Sequence, residues 1–165
     1  MSRTGSRPRS DRVRSAAARR RGAARSAIDS YVLEDQVGHL LRRAHQRHTT
    51  IFAAGMNELR LTPMQFAALA KIGAEGELSQ NRLGRVTAMD PATIQGVVRR
   101  LAQRRLIVAR DDPGDRRRSL WRLSAAGRRL LGRAIPKALR ISAETLKPIH
   151  AGRRRDFVRL LKQLS

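Results

Sequence analysis

The sequence predicts a mainly α-helical protein carrying one small β-hairpin. Three observations predict it. Apolar residues recur at helical spacing in successive stretches, several of them opened by capping residues. One Asp-Pro-Gly-Asp turn, residues 112–115, separates two short segments that read as strands. At 165 residues and 41% hydrophobic content the chain suits one domain with a tail, and its core is large enough to fold.

The elements follow in order. Residues 1–29, MSRTGSRPRSDRVRSAAARRRGAARSAID, show no period and read as a disordered basic arm. A long helix is expected to begin near Ser30, an N-cap residue type, with Leu33, Val37, Leu40, Leu41, Ala44, Ile51 and Phe52 at helical spacing. It is longer than a small domain needs to cover its own core, so residues 30–60 are assigned to contact with another subunit.

Thr62, Pro63 and Gln65 form a capping box with proline at the first helical position, and Phe66, Leu69, Ala70 and Ile72 face inward until Gly73–Gly76. Ser79 caps a short helix that carries Leu83 and Val86 inward and stops near Met89. Asp90 and Pro91 give the strongest helix start in the chain, and Ile94, Val97, Val98 and Leu101 form its narrow apolar stripe. The strands LIVARD and SLWRLS flank the turn. Two helices finish the chain; Pro136 should kink the first and Pro148 close it.

Charge bounds the function. There are 36 Lys+Arg against 13 Asp+Glu, a formal net charge of +23, which points to a polyanionic partner, nucleic acid before an anionic membrane. No apolar run approaches the ~18 residues of a membrane span. With no cysteine, there is no disulfide framework or thiolate metal site. A phosphate-binding glycine loop, a nucleophile elbow and HExxH are all missing, so neither enzyme nor cofactor is predicted.

Three short helices and then a hairpin describe a winged helix-turn-helix over residues 61–125, followed by two helices over 126–165. In this arrangement the second helix of the motif enters the major groove. The helix from Asp90 suits that task. Pro91, Ala92, Thr93, Gln95, Gly96, Arg99 and Arg100 lie on or flank the face opposite its stripe, and Ser79 and Gln80 open the helix before it. Gln95 has the geometry to bond adenine, and Arg99 to bond guanine bidentately. Gly96 costs about 1 kcal/mol relative to alanine in a helix, a cost that close approach to DNA would justify. The run Arg116, Arg117 and Arg118 would form the tip of the wing over flanking DNA. Asp115 would pair with Arg117 and set the direction of the loop.

These residues resemble a known family. Asp115, Arg117, Leu123 and Ser124 in DDPGDRRRSLWRLSAAG are similar to the wing signature of the multiple-antibiotic-resistance regulator (MarR) family, with serine in place of the usual threonine. LTPMQFAALAKI and AMDPATIQGVVRRLAQRRLI resemble its second helix and recognition helix, and the likeness covers roughly residues 31–165. The resemblance implies an obligate homodimer on a pseudo-palindromic DNA operator, with residues 126–165 as C-terminal dimerisation helices. It also implies a cytoplasmic, nucleoid-associated bacterial repressor released by a small aromatic anion. Within the family the chain looks most like nicotinate-degradation repressors, with regulators responding to hydroxycinnamoyl-CoA as the alternative branch. A basic nucleic-acid-packing protein is the alternative from a different class.

For the ligand, His45, His48, Thr49 and Phe52 share one face of the first long helix, at i, i+3, i+4 and i+7. An imidazole there would meet a carboxylate or ring hydroxyl; the competing role is a core histidine bonded to a backbone carbonyl. No metal is assigned, since zinc needs three or four ligands and that face offers only His45 and His48.

Overall fold

The computed structural model describes residues 28–112 and 115–164, with the side chains of residues 115–118 outside the described set. The basic arm read from the sequence lies outside the described residues up to residue 27. The chain divides into two compact units, residues 1–43 and 44–165, the boundary falling inside the first long helix.

In the first unit a 3-10 turn, Leu33–Asp35, precedes helix α1, Val37–Met56. The long helix therefore does not begin near Ser30. Val32 (φ −102°, ψ 107°) and Gln36 (φ −80°, ψ 130°) are both extended. The Gln36 amide donates to Val32 O at 2.9 Å and closes the turn. Gln36 O accepts from Leu40 N at 3.0 Å, so regular helix starts only at Val37. Capping residue type alone misplaced this end, because a side chain on the other side of the turn closed the backbone first.

The second unit holds the end of α1, a 3-10 turn Asn57–Leu59, α2 (Pro63–Glu75), β1 (Glu77–Ser79), α3 (Gln80–Val86), α4 (Pro91–Gln103), β2 (Ile107–Asp112), β3 (Asp115–Leu123), α5 (Ala125–Thr145) and α6 (Arg154–Gln163). Its helix starts obey local chemistry. Thr62 Oγ1 accepts from Gln65 N at 3.3 Å while Gln65 Oε1 accepts from Thr62 N at 3.2 Å, the reciprocal capping box. Ser124 Oγ accepts from Gly127 N at 2.9 Å and opens α5. At the far end of α2 the chain turns through Gly76 at φ +84°, which glycine reaches without a Cβ clash. Pro136 lies inside α5 without ending it.

The sheet is three-stranded and antiparallel, in the order β1-β3-β2. Strand β1 adds a third member to the predicted hairpin, with Leu78 opposite Trp121 and Ser79 opposite Leu120. Only three residues long, it has too few positions to show a period of two. The hairpin register passes from Ile107 opposite Leu123 to a shift between Asp111 and Asp112. The backbone of Arg116, Arg117 and Arg118 belongs to β3, so the arginine run stands on the returning strand and not in the connecting turn.

One core joins these elements: Phe52, Met56, Leu69, Ile72, Leu78, Leu83, Ile94, Leu101, Leu123, Leu131 and Ile141 are among its buried members. Burying each such side chain stabilises the fold by roughly 1.5–3 kcal/mol relative to leaving it exposed. The contacts with the tightest tolerance are backbone ones. A Cβ on Gly127 would collide with the carbonyl of Leu106, and that same carbonyl accepts from Ser124 N at 3.0 Å. This fixes the start of α5 against the end of the α4–β2 connection.

Candidate functional site

Helix α4 is held at its start by one carboxylate. Asp90 Oδ1 accepts from Thr93 N at 2.9 Å and Oδ2 accepts from Thr93 Oγ1 at 2.6 Å. The hydroxyl bond from Thr93, then its backbone bond, holds the Asp90 carboxyl below the usual aspartate range. The Thr93 hydroxyl proton is therefore spent on the cap, and toward an outside partner that oxygen only accepts.

The predicted stripe is the buried one: Ile94, Val97, Val98 and Leu101 are all within the core. That orientation leaves Pro91, Ala92, Gln95, Arg99 and Arg100 exposed, with Thr93 and Gly96 half-buried. Gly96 has a specific neighbour. The Arg100 guanidinium lies back along the helix, with Nη1 about 3.4 Å from where a Cβ on Gly96 would sit. The missing side chain gives that cation room to lie flat on the helix surface.

The preceding helix is set by Ser79, whose Oγ accepts from Arg82 N at 3.3 Å. Gln80 is its first residue and is half-buried. Helices α3 and α4 meet closely at Gly84: a Cβ there would be 3.2 Å from Met89 O and 3.3 Å from Ile94 Cγ2. Thr87 Oγ1 donates to Leu83 O at 2.6 Å and helps close the turn between them. On the hairpin, Arg110 pairs with Glu77 at 3.6 Å, tying β2 to β1 across the middle strand. The predicted Asp115–Arg117 ion pair, and the direction of the Arg116 and Arg118 side chains, lie outside the described residues.

Helix α1 separates the four residues read as a ligand face. His45 is exposed, and Phe52 is a core residue at 4% exposure. His48 is half-buried, with its ring 6.1 Å from that of Phe52, which in turn is 6.0 Å from Phe66. His48 Nδ1 lies 3.1 Å from Thr145 Oγ1 on α5, a side-chain partner where a backbone carbonyl was the competing expectation. Thr49 Oγ1 is buried and has no hydrogen-bond partner among the described residues. An unpaired buried hydroxyl costs free energy unless a water or ligand satisfies it. Phe66, Arg104 and Thr145 were not selected from the sequence as site residues. Thr145 is 97 positions from His48, and no local pattern reports such a pair.

A capped, core-anchored α4 behind the shorter α3, beside a three-stranded sheet with a long hairpin, defines a winged helix-turn-helix protein. Residues 61–118 match the MarR family model. The HTH-type transcriptional repressor NicR of Pseudomonas putida is 42% identical over 134 residues, 81% of this chain and 85% of that protein. A probable transcriptional regulator from Pseudomonas aeruginosa has 45% identity and a TM-score of 0.77, over 81% of this chain and all of that one. BpsR of Bordetella bronchiseptica, whose structure concerns regulation of its DNA binding by 6-hydroxynicotinic acid, has 38% identity and a TM-score of 0.78. It covers 81% of this chain and 96% of that one. The chain belongs to the MarR family of transcriptional regulators.

Proposed function

We propose that the chain is a ligand-gated transcriptional repressor, acting by binding and not by catalysis. It holds a pseudo-palindromic operator as a homodimer in the bacterial cytoplasm and leaves it when a small aromatic anion binds. A hydroxylated nicotinate is the ligand the relatives favour, since BpsR is regulated by 6-hydroxynicotinic acid. The observation that carries the DNA-binding part is the division of α4 into a buried stripe and an exposed face holding Ala92, Gln95 and Arg99. Arg99 and Gln95 read base edges, Ser79, Gln80 and Arg100 contact the backbone, and Arg116, Arg117 and Arg118 follow the flanking groove.

The dimer is supported by large apolar side chains left in solvent. In the first unit these include Tyr31, Val37, Leu40 and Leu41; in the second, Ile135, Leu139, Leu160 and Leu164. Surfaces of this kind are covered by partners. Residues 30–60 and 126–165 supply them, and the dimer sets two recognition helices about one DNA turn, ~34–36 Å, apart.

For the ligand, His48 and the unpaired Thr49 hydroxyl are the polar contacts, with the His48–Phe52–Phe66 rings as the apolar wall. Ligand binding favours a dimer geometry that no longer matches the operator.

Fluorescence anisotropy on DNA from upstream of the chain's own gene, against a scrambled duplex at physiological salt, tests this reading. Tight binding to the upstream DNA, lost with 6-hydroxynicotinate and not with p-coumaroyl-CoA, is expected. Loss with the thioester alone would move the ligand to the hydroxycinnamoyl class. Equal binding to both duplexes with neither compound active would leave a basic packing protein.

A further inference from the structure

Arg104 ends the recognition helix and reaches a different part of the fold. Its backbone N–H bonds Arg100 O at 3.1 Å, so its base is part of α4. Its guanidinium donates from Nη1 to Arg60 O at 2.7 Å and from Nη2 to Leu59 O at 3.0 Å. Nη1 also stands 3.5 Å from Gln65 Oε1, the same oxygen that completes the capping box of α2.

The two backbone acceptors close the helical run that begins with α1. The 3-10 turn Asn57–Leu59 follows α1 directly, and Arg60, left-handed at φ +49°, stops it. Carbonyls at a helix end have no intrahelical donor, and a cation there also meets the negative end of the helix dipole. On either side of Arg60, Leu59 and Leu61 are buried at 3% and 5% exposure, so this stretch of backbone is anchored in the core.

A guanidinium is a rigid planar fork. Bonded to two successive carbonyls, it constrains direction as well as distance. A shift of the end of α1 relative to α4 must break one of these bonds, re-set the torsions of the Arg104 stem or turn α4 with it. That same half of α1 carries His48, Thr49 and Phe52.

We infer that Arg104 is a positioning residue that couples the end of α1 to the orientation of the recognition helix, so that ligand occupancy on α1 reaches the DNA face through it. The inference rests on the ligand-gated reading above. It needs no contact between Arg104 and either DNA or ligand.

The experiment measures operator Kd with and without saturating 6-hydroxynicotinate for the wild-type chain, Arg104→Met, Arg104→Lys and Arg105→Met. Methionine keeps an unbranched apolar stem and removes every donor. Lysine keeps the charge without the fork. The Arg105 variant removes one adjacent charge and leaves the latch intact. In Arg104→Met the ratio of the two Kd values should fall about tenfold toward unity, within the range of measured couplings. Arg104→Lys should not restore it, and Arg105→Met should keep the wild-type ratio. A purely structural role would reduce the active fraction equally in both conditions and leave the ratio unchanged; that result, or full coupling in Arg104→Lys, overturns the inference. If the wild-type chain ignores the ligand, the ligand-gated reading fails separately. Positioning is then judged from the preference for upstream over scrambled DNA, which Arg104→Met should lower about tenfold and Arg105→Met should not.

Discussion

His48 Nδ1 lies 3.1 Å from Thr145 Oγ1, and Thr145 Oγ1 lies 2.8 Å from Ile141 O. A hydroxyl has one proton, and here the Ile141 carbonyl takes it. Toward His48 the threonine oxygen accepts, which places a proton on Nδ1 and leaves Nε2 of the neutral ring as an acceptor. The helix pair α1–α5 thus fixes the tautomer of the one histidine in the candidate ligand face that is partly buried.

An acceptor at Nε2 suits a ring hydroxyl. His48→Ala should weaken 6-hydroxynicotinate binding about tenfold, the loss of one net hydrogen bond of roughly 1–1.5 kcal/mol. Ligand-free operator affinity should stay within about twofold, inside the usual ±0.5 kcal/mol of a change away from the binding contacts. Thr145→Val should shift ligand affinity in the same direction and by less. Calorimetric titration of each variant checks this, and an unchanged ligand affinity in His48→Ala moves the ligand to another face.

Arg99 projects from α4 opposite the buried stripe. Arg99→Ala should cost about 1–3 kcal/mol of operator affinity and relax preference at one base position. Binding to a set of singly substituted duplexes reads this out. A uniform loss across the set would make Arg99 a phosphate contact.

Gly127 has no room for a methyl group because the Leu106 carbonyl occupies its place. Gly127→Ala forces α5 away from the α4–β2 connection and should destabilise the fold by about 1–3 kcal/mol, the usual range for overpacking. Urea unfolding followed by the single tryptophan, Trp121 in β3, provides the measurement. Wild-type stability in the variant would mean that the first turn of α5 moves freely.

Two exposed carboxylates, Asp90 and Glu58, are held below the ordinary range and link stability to pH. Asp90 is held low by the Thr93 hydroxyl and backbone, and Glu58 by its hydrogen bond to Lys137 at 3.0 Å, then by the Lys137 and Arg133 charges. A folded-state value below the unfolded one adds stability above the ordinary carboxylate range, near pH 4, and that contribution disappears as pH falls through the folded values. Urea midpoints should therefore begin to fall as pH drops below about 4.5 and go on falling through the lowered folded-state values. The fall should be shallower in Asp90→Asn and in Glu58→Gln, and equal slopes in all three proteins would assign it to other groups.

Much of the candidate site's framework was legible because its determinants are local. The cap at Asp90 bonds a residue three positions away, the capping box spans Thr62 to Gln65, and Ser124 caps at Gly127. The α4 stripe needs only helical period, so its burial and its exposed face follow from one another. The start of α1 was read too early because Gln36 closes a turn that no capping pattern encodes.

The sequence by itself determined the fold class, the helix from Pro91 with its buried stripe and exposed face, and the family. Only the tertiary structure decided which strand joins the hairpin, where the arginine run stands, and which partners hold His48 and Arg104. The physical reason is distance along the chain. Caps and periodic faces depend on neighbours a few residues apart, and residue type alone selects among them. The His48–Thr145 contact spans 97 positions, and Arg104 reaches carbonyls 44 and 45 positions away. Such bonds exist only after the core has brought the helices together, and backbone carbonyls, which every residue has, leave no mark of their partner in the sequence.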